Sequence, residues 1–360
     1  MSDQTPAPGH PADPTPADPT PAPGPAADPT PAATPGDPLP DIAVVVTVYA
    51  GVAADDLAVC LGSLLGQTRP AGQTVIVADG PLTPALDGVV DRFHAAAVDR
   101  GLTCDVVRLP RNLGAAGAAN AGIARCDRPW IARLDADDAA TPERFAVQAA
   151  YLDAHPGVTV LGTALHEFDG DAVPAPPRDP ATGGPALTLD EDALRRVSLG
   201  VRPMPADHAG VARTMRTSSP VNNPSVVMRR DAVVAAGGYG EVRYMEDYDL
   251  WAHLLSRGAR FANLPEPLTW FRMSRSTLRR RTAPGMFAAE KEMQTRLVRY
   301  GVVGRRRAIF NLGIRSLYRA LPGPLLRLAN RVLAPAPGAP RDPVGRVAGD
   351  PVFQRRHGHR

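Results

Sequence analysis

The sequence is poor in lysine, in cysteine and in long hydrophobic runs, and these shortages exclude several classes of protein. Lys291 is the only lysine, so almost every basic side chain is arginine. Cys60, Cys104 and Cys126 stand in no paired or metal-type spacing, which argues against a disulfide framework and is typical of a reducing cytoplasm. No run of eighteen apolar residues occurs, so no transmembrane helix is expected.

The first 40 residues also lack most of what a folded segment needs. Residues 1–40 contain 14 prolines, no lysine or arginine, and almost no large apolar side chain. Such a segment buries too little surface to offset the entropy lost on ordering, so it is predicted to be a disordered tail. It has neither the basic start nor the apolar core of a signal peptide, so nothing in it directs secretion. We therefore expect a cytoplasmic protein.

Charge is distributed unevenly along the chain. Residues 41–270 carry 20 basic and 28 acidic side chains, whereas residues 271–360 carry 20 basic and 4 acidic ones. A basic end on an otherwise acidic chain predicts an anionic partner, either membrane lipid or nucleic acid. Nucleic acid is disfavoured, because the arginines are not interleaved with aromatic residues and no recognised nucleic-acid-binding motif is present.

The basic end contains one segment of helical spacing, residues 305–321, with apolar side chains along one face and arginines beside them. Polybasic amphipathic helices bind anionic lipid surfaces, so residues 276–335 are predicted to form a basic amphipathic helical extension on the inner face of the cell membrane. Alternatively, these helices pack on the rest of the chain with arginines in solvent, or the chain is simply disordered from about Pro335 onward. Residues 336–360 are predicted to be a disordered basic tail. The apolar residues of the segment are Phe310, Ile314, Leu317, Tyr318 and Leu321.

From Ile42 onward, short β-branched runs alternate with segments of helical spacing. This alternation predicts an α/β fold with a mostly parallel sheet flanked by helices. The Pro- and Gly-rich stretch 167–190 is predicted to be a surface insertion. The predicted strands are 42–47, 74–77, 104–108, 130–134, 158–161 and 225–228. The predicted helices are 54–66, 84–98, 115–125, 142–154, 230–236, 247–257 and 305–321.

Three carboxylates, Asp135, Asp137 and Asp138, directly follow an apolar strand. They repel one another unless a cation or hydrogen-bond donors offset them, and oxygen ligands without nearby His or Cys favour Mg²⁺ or Mn²⁺. In an open α/β sheet, this edge of the strands is where ligands bind. The alternative is that Asp138 caps a helix beginning near Thr141. Capping needs one aspartate, so a metal-binding site is favoured.

A second acidic pair, Glu246 and Asp247, begins a predicted helix whose Leu250 and Trp251 face the core. Carboxylates at a helix N-terminus interact favourably with the helix dipole, which would explain the pair without any chemistry. Alternatively, one of the two is a general base that points into a cleft. The pair alone does not decide between these interpretations.

Nine short segments stand in the order typical of one enzyme family. They are Val45–Tyr49, Ser63–Thr68, Val77–Gly80, Arg111–Gly114, Ala119–Ile123, Arg133–Asp138, Asn222–Met228, Gly237–Tyr239 and Glu246–Trp251. Together they make the chain resemble the family 2 glycosyltransferases over about residues 42–281. The resemblance implies a GT-A fold that binds a nucleotide-sugar, with a catalytic domain over 41–275.

The resemblance also implies roles for single residues in binding the donor. Thr47 and Tyr49 would lie at its base, and Asp79 would accept a hydrogen bond from the ring N–H of that base. Ala78 departs from the family pattern, which often has a second aspartate there. Asp135 and Asp137 would hold the ribose and the diphosphate, the latter through Mn²⁺ or Mg²⁺. The other implied donor-binding residues are Asn112, Asn120, Arg133 and Arg272; for Arg272 and for Arg279 to Arg281 a solvated basic face is an equal alternative.

In the family pattern, Asp247 matches the catalytic base and Glu246 its acidic neighbour. The implied reaction is a single displacement that inverts the anomeric carbon and transfers the sugar to a saccharide or lipid-linked acceptor in cell-surface polysaccharide synthesis. Two rival functions are a non-catalytic nucleotide- or glycan-binding protein on the same fold and a sugar-phosphate nucleotidyltransferase. A binding protein needs no base, and the nucleotidyltransferase would show a Gly-rich phosphate loop after the first strand, so both are disfavoured.

Overall fold

A computed structural model of the chain describes residues 38–274 and 285–320. The first half of its sheet is parallel, in the strand order β3-β2-β1-β4, as the alternation of strands and helices predicts. Val44, Val45 and Val46 are fully buried because helices cover both faces of this sheet. The four strands are β1 (Leu39–Val48), β2 (Ala71–Ala78), β3 (Thr103–Arg108) and β4 (Trp130–Asp135).

The helices that cover the parallel half begin and end close to the predicted positions. Thr83 caps α2 by accepting a hydrogen bond from the Leu86 N–H, with Pro84 in the first turn. Gly122 allows α3 to lie close to β1, since a Cβ at that position would overlap the Val45 side chain. These helices are α1 (Ala54–Leu65), α2 (Pro84–Asp99), α3 (Gly114–Arg125) and α4 (Arg144–Ala154).

The second half of the sheet is mixed. A short strand, β8, lies antiparallel between β4 and β6, and β6 runs parallel to β9. β6 continues to Asp169, so the predicted insertion at 167–190 begins later than expected. Its Glu167 is buried in an ion pair with Arg202 of β7. The strands of this half are β5 (Ala139–Ala140), β6 (Val160–Asp169), β7 (Ser198–Arg202), β8 (Val227–Arg229) and β9 (Phe261–Met273).

Six further helices complete the described part of the chain. Trp251 of α8 is fully buried against Phe261 of β9, which places the start of α8 at the edge of the core. Helices α5 and α6 have no counterpart among the predicted elements, whereas α9 lies within the predicted helical extension 276–335. The helices are α5 (Glu191–Arg196), α6 (His208–Met215), α7 (Arg230–Ala235), α8 (Glu246–Ser256), α9 (Met286–Arg299) and α10 (Arg305–Ala320).

Several predictions concern residues outside the described ranges. They include most of the predicted N-terminal tail, residues 1–37, the arginines Arg279 to Arg281, and the predicted tail 336–360. Leu39, inside the predicted tail, already belongs to β1. In the described ranges, no helix is both long and apolar enough to cross a bilayer.

Candidate active site

The acidic residues after β4 form a tight turn at the carboxyl end of the parallel strands. Asp135 ends β4 and lies beside Thr47 of β1. The Asp138 backbone N–H donates to the Asp135 carbonyl oxygen at 3.0 Å, which closes the turn. The Asp135 side chain is 36 % exposed and Asp137 is half-buried, whereas Asp138 is buried. The turn therefore presents two carboxylates, not three, to a ligand from solvent.

Asp138 ties this turn to the last strand of the sheet instead of capping a helix. Its Oδ1 accepts a hydrogen bond from the Arg272 backbone N–H at 2.8 Å. Helix α4 begins only at Arg144, and the residue before it makes no side-chain cap. Burial raises the pKa of Asp138 well above its ordinary value, and the other two carboxylates of the turn raise it further. The alternative interpretation of Asp138 as a helix cap is therefore wrong.

Arg272 holds the acidic turn from β9. Its Nε donates to the Asp137 carbonyl oxygen at 3.1 Å, and its Nη1 donates to the Gly170 carbonyl oxygen at 2.9 Å. Its Nη2 pairs with the Asp56 carboxylate of α1 at 2.8 Å. Burial and the Asp137 carboxylate raise the pKa of Asp56, while Arg272 opposes them. The guanidinium thus joins three segments around the turn, and its predicted contact with a donor diphosphate stays a prediction.

Arg133 is a buried cation on the strand that leads into the turn. Its Nη1 donates to the Val45 carbonyl oxygen at 3.2 Å. Its Nη2 lies 3.4 Å from Asp135 Oδ1 and 3.5 Å from Thr47 Oγ1. The guanidinium also lies over the Tyr239 ring, 5.9 Å from the ring centroid. Arg133 therefore offsets part of the negative charge of the turn and connects it to the second half of the chain.

A second buried arginine, which the sequence analysis missed, braces the same region. Arg144 is fully buried and donates to the carbonyl oxygens of Arg133 and Pro224, each at 2.8 Å. Burial lowers the pKa of Arg144 to about 9, and Asp138 opposes this shift, so the side chain stays charged at neutral pH. In the sequence, the indication of this buried arginine was a charged residue beside Phe145 on the buried face of a predicted helix.

Asp79 follows β2 and anchors the start of α3. Its Oδ1 accepts from the Leu113 N–H at 2.6 Å and its Oδ2 from the Gly114 N–H at 3.1 Å. Asn112 closes the same turn by donating from Nδ2 to the Asp79 carbonyl oxygen at 3.2 Å. Each carboxylate oxygen has a second lone pair, so this anchoring still leaves Asp79 able to accept from a nucleobase. Tyr49, directly after β1, is 46 % exposed.

Asn120, on α3, holds the backbone of Tyr239. Its Nδ2 donates to the Tyr239 carbonyl oxygen at 2.9 Å, and its Oδ1 accepts from the Tyr239 N–H at 2.8 Å. Gly238 has a φ of 75°, and a Cβ there would overlap Asn120 Oδ1, so this approach requires glycine. The Tyr239 hydroxyl donates to Asn223 Oδ1 at 2.8 Å. In this structure, the predicted donor-binding residue Asn120 positions Tyr239, a residue of the segment Gly237–Tyr239 to which the sequence analysis gave no role of its own.

Glu246 and Asp247 open helix α8, and both are half-buried. Burial raises the pKa of Asp247 to about 7, and the charges of Glu246 and Asp135 act in the same direction. Arg133, whose Nη2 lies 3.4 Å from Asp135 Oδ1, also lies over the ring of Tyr239, seven positions before Glu246. Asp247 Oδ1 accepts a hydrogen bond from the Tyr248 N–H at 2.7 Å. The fold thus brings the two acidic motifs, 112 positions apart in the chain, to one region.

The backbone just before this pair is strained. Tyr244 has a φ of 67° and is the single non-glycine residue with positive φ in the described part of the chain. The left-handed conformation costs an ordinary residue about 1 kcal/mol, and such strain is concentrated at functional sites. Here it turns the chain into α8 immediately ahead of Glu246.

Helix α9 and the residue after it, Tyr300, hold helix α8, which carries Asp247, in place. Asp249, whose side chain is 4 % exposed, pairs with Arg296 Nη1 at 2.9 Å and accepts from the Tyr300 hydroxyl at 3.0 Å. The Tyr300 ring stacks on His253, with 4.7 Å between ring centroids. The sequence indicated this role of Asp249 only by placing a charged residue between Tyr248 and Leu250, on a helix face whose other residues belong to the core.

We expect Arg296→Met to lower the free energy of unfolding by about 2 kcal/mol, because it leaves the Asp249 carboxylate buried without its cation. Chemical denaturation at neutral pH measures this loss. The matched control is Arg299→Met on the same helix, where the side chain is exposed. Equal losses for the two variants would show that the pair does not anchor α8.

The residues of the acidic turn could bind a divalent cation only if the substrate supplied some of the ligands. Among residues 38–274 and 285–320, no three His, Cys, Asp or Glu side chains are grouped closely enough to hold a metal alone. Asp135 and Asp137 nevertheless offer two accessible carboxylates on one tight turn. Mg²⁺ is typically bound by one or two carboxylates together with waters and substrate phosphates, and oxygen ligands of this kind also suit Mn²⁺. The donor set is therefore compatible with such an ion when a diphosphate completes its coordination.

The sequence is similar to known glycosyltransferases. The family model described as Glycosyl transferase family 2 matches residues 43–211. The amylovoran biosynthesis glycosyltransferase AmsE of Erwinia amylovora is 31 % identical over 280 residues, which are 78 % of this chain and 94 % of that protein. The UDP-Gal:alpha-D-GlcNAc-diphosphoundecaprenol beta-1,3-galactosyltransferase of Escherichia coli is 24 % identical over 286 residues, or 79 % of this chain and 94 % of that protein.

The fold is similar to that of a solved enzyme structure. S. aureus TarS 1-349 in complex with UDP aligns with a TM-score of 0.51 at 14 % identity, over 81 % of this chain and 79 % of that one. Of the longer TarS structure, this chain covers 40 %. The predicted fold class, a GT-A sheet flanked by helices, is confirmed. Because the match to AmsE extends over almost the whole of that relative and the motifs lie on the expected strand ends and helix, the chain belongs to glycosyl transferase family 2.

Proposed function

We propose that this chain moves a sugar from a nucleotide-diphosphate donor to a hydroxyl of a saccharide or lipid-linked acceptor, with inversion at the anomeric carbon. The observation that carries the proposal is the half-buried Asp247, whose pKa is raised to about 7 beside the Asp135 turn. A carboxylate with that pKa can take a proton at neutral pH. A protein that only bound nucleotides or glycans would have no use for it.

The similar proteins support the choice of donor and acceptor. The E. coli relative is named for a UDP-sugar donor and a diphosphoundecaprenol acceptor, AmsE for the biosynthesis of a polysaccharide, and the TarS structure contains UDP. We propose the same classes of substrate here: a nucleotide-sugar, and an acceptor in cell-surface polysaccharide synthesis.

The donor would lie across the ends of the parallel strands. Thr47, Tyr49 and Asp79 would line the base, with Asp79 already held by the start of α3. The side chains of Asp135 and Asp137 would face the ribose and the diphosphate. Asp135 and Asp137 would hold a divalent cation at this turn, which would supply positive charge to offset that of the departing diphosphate. Arg133 and Arg272 keep the turn in place.

Asp247 would accept the proton of the acceptor hydroxyl as that oxygen attacks the anomeric carbon. Burial, and then the charge of Glu246 beside it, raise the pKa of Asp247, so that the base is strong enough at neutral pH. One displacement from the face opposite the diphosphate inverts the anomeric carbon, so no side-chain nucleophile is needed.

The pH dependence of the reaction tests this assignment. We expect the rate at which a nucleotide-sugar releases its nucleoside diphosphate, with water or an added saccharide as acceptor, to rise with pH and level off above about 7. The reason is that only deprotonated Asp247 can take the proton. A rate that already levels off near the ordinary aspartate pKa of 3.8 would exclude Asp247 as the base.

We also propose that the protein works in the cytoplasm, at the inner face of the cell membrane, where a lipid-linked acceptor is exposed. The support is the arginine-rich end of the chain, since anionic lipid surfaces attract clusters of basic side chains.

A further inference from the structure

Helix α10 packs on the rest of the chain through a side that contains two polar residues, Asn311 and Arg315. Asn311, 6 % exposed, donates from Nδ2 to the Arg216 carbonyl oxygen at 2.8 Å and to Gln294 Oε1 at 3.1 Å. One turn further on, Arg315 pairs with the buried Glu290 of α9 at 2.9 Å. Ala308, which joins the hydrophobic core, is spaced with Asn311 and Arg315 as one helix face, so the side turned inward carries both apolar and polar residues.

The apolar side of α10 faces outward. Ile309 is 73 % exposed, Phe310 is 56 % exposed and Ile314 is 50 % exposed. Single exposed apolar residues are common on protein surfaces, but contiguous ones mark binding surfaces. A helix of a water-soluble domain normally buries its large apolar side chains, whereas α10 leaves these three exposed. We call Ile309, Phe310 and Ile314 the outer face of α10.

The positive charge near the outer face of α10 indicates which kind of partner can bind there. Arg305, Arg306 and Arg307 are exposed at the start of the same helix. A second copy of the chain would bring a second set of these arginines to the contact. The following residues, 321–360, carry seven arginines and two aspartates, so they share the sign of the helix and do not complement it. An anionic bilayer complements both the arginines and the apolar side chains.

We propose that the outer face of α10 inserts into the headgroup region of an anionic bilayer, with Arg305 to Arg307 at the phosphates. This deepens the proposed function, because it rests on the acceptor being lipid-linked and specifies the surface that meets the lipid. It also gives α10 a defined orientation, with Asn311 and Arg315 against the rest of the chain and the outer face in the membrane.

Vesicle flotation of the full-length chain tests the proposal. Vesicles of phosphatidylglycerol and phosphatidylcholine are compared with vesicles of phosphatidylcholine alone, at low and high salt. We expect the wild type to float only with the anionic vesicles, and less so at high salt. Phe310→Asp and Ile314→Asp should each weaken this binding by roughly tenfold. Both side chains are exposed, so the fold should survive. The matched control is Val234→Asp on α7, at a site that is also 50 % exposed.

Three results would overturn the proposal. The first is that the aspartate variants of the outer face float as the wild type does. The second is that the wild type does not bind anionic vesicles. The third is that the wild type is a dimer in solution and the variants are monomers, which would make this face a contact between copies. Nucleotide binding, measured separately on the same proteins, shows whether the donor site is intact, so a failure of the membrane proposal is distinguishable from a failure of the proposed function.

Discussion

Replacing Asp247 with asparagine is expected to lower the rate of sugar transfer by about a thousandfold while nucleotide-sugar binding is retained. Asparagine can still accept the hydrogen bond that Asp247 Oδ1 receives from the Tyr248 N–H, so the start of α8 keeps its geometry. It cannot take a proton from the acceptor hydroxyl. Release of the nucleoside diphosphate measures the loss of transfer, and calorimetric titration measures donor binding.

The same substitution is expected to stabilise the fold. The pKa of Asp247 is about 7 in the folded chain against an ordinary value of 3.8. A carboxyl group with a raised folded pKa costs stability as the pH rises above the unfolded value, and the cost is complete once the pH exceeds the folded value. Asp247→Asn should therefore raise the free energy of unfolding by about 2 kcal/mol at pH 8, allowing for its partial exposure, and by very little at pH 4.

The neighbouring Asp249 supplies the control, because it lies two residues along the same helix. Asp249→Asn keeps an oxygen that can accept from Arg296 and Tyr300, and it leaves Asp247 in place, so this variant should retain sugar transfer. Normal transfer by Asp247→Asn would remove Asp247 from the mechanism. A loss of stability in that variant at pH 8 would contradict the raised pKa.

Replacing Asp137 with asparagine is expected to weaken the binding of a nucleoside diphosphate in Mn²⁺ by roughly a hundredfold, and to remove most of the difference between Mn²⁺ and chelator. The reason is that Asp137 is one of the two accessible carboxylates of the acidic turn. Calorimetric titration with and without the metal measures both effects.

Asp138→Asn is the matched control in the next position. Asp138 is buried, its pKa is raised, and its Oδ1 accepts from the Arg272 backbone N–H, which an asparagine oxygen can also do. This variant should therefore keep metal-dependent binding. If Asp138→Asn lost the metal effect and Asp137→Asn kept it, the assignment of carboxylates within the turn would be reversed.

The parallel half of the fold could be predicted from the sequence because its strands are apolar runs and its helices carry regular spacing. β9 was not predicted, because Pro265 and Pro267 interrupt it and its register against β6 shifts there. The end of β6 was missed for another reason. From the sequence, a glutamate at position 167 is expected at the surface. In the structure it is paired with Arg202, which is 35 positions away in the chain.

The positions of the two acidic motifs could be predicted, since they follow a strand end and begin a helix. Their supports could not be predicted, because these are long-range backbone contacts. Asp138 binds the backbone N–H of Arg272, and Asn120 binds the backbone of Tyr239. No local pattern indicates which backbone group a side chain will reach. The exposure of the apolar side of α10 was likewise hidden, because helical spacing identifies a face but not the direction in which it points.

The most direct test of the central claim is titration of the purified, full-length chain with a panel of nucleoside diphosphates and nucleotide-sugars, in Mn²⁺ and then in chelator. We predict that one nucleoside diphosphate and its sugar conjugates bind, and that chelator weakens this binding. If no member of the panel binds to protein shown to be folded, the chain has no working donor site and the proposed transferase function is wrong.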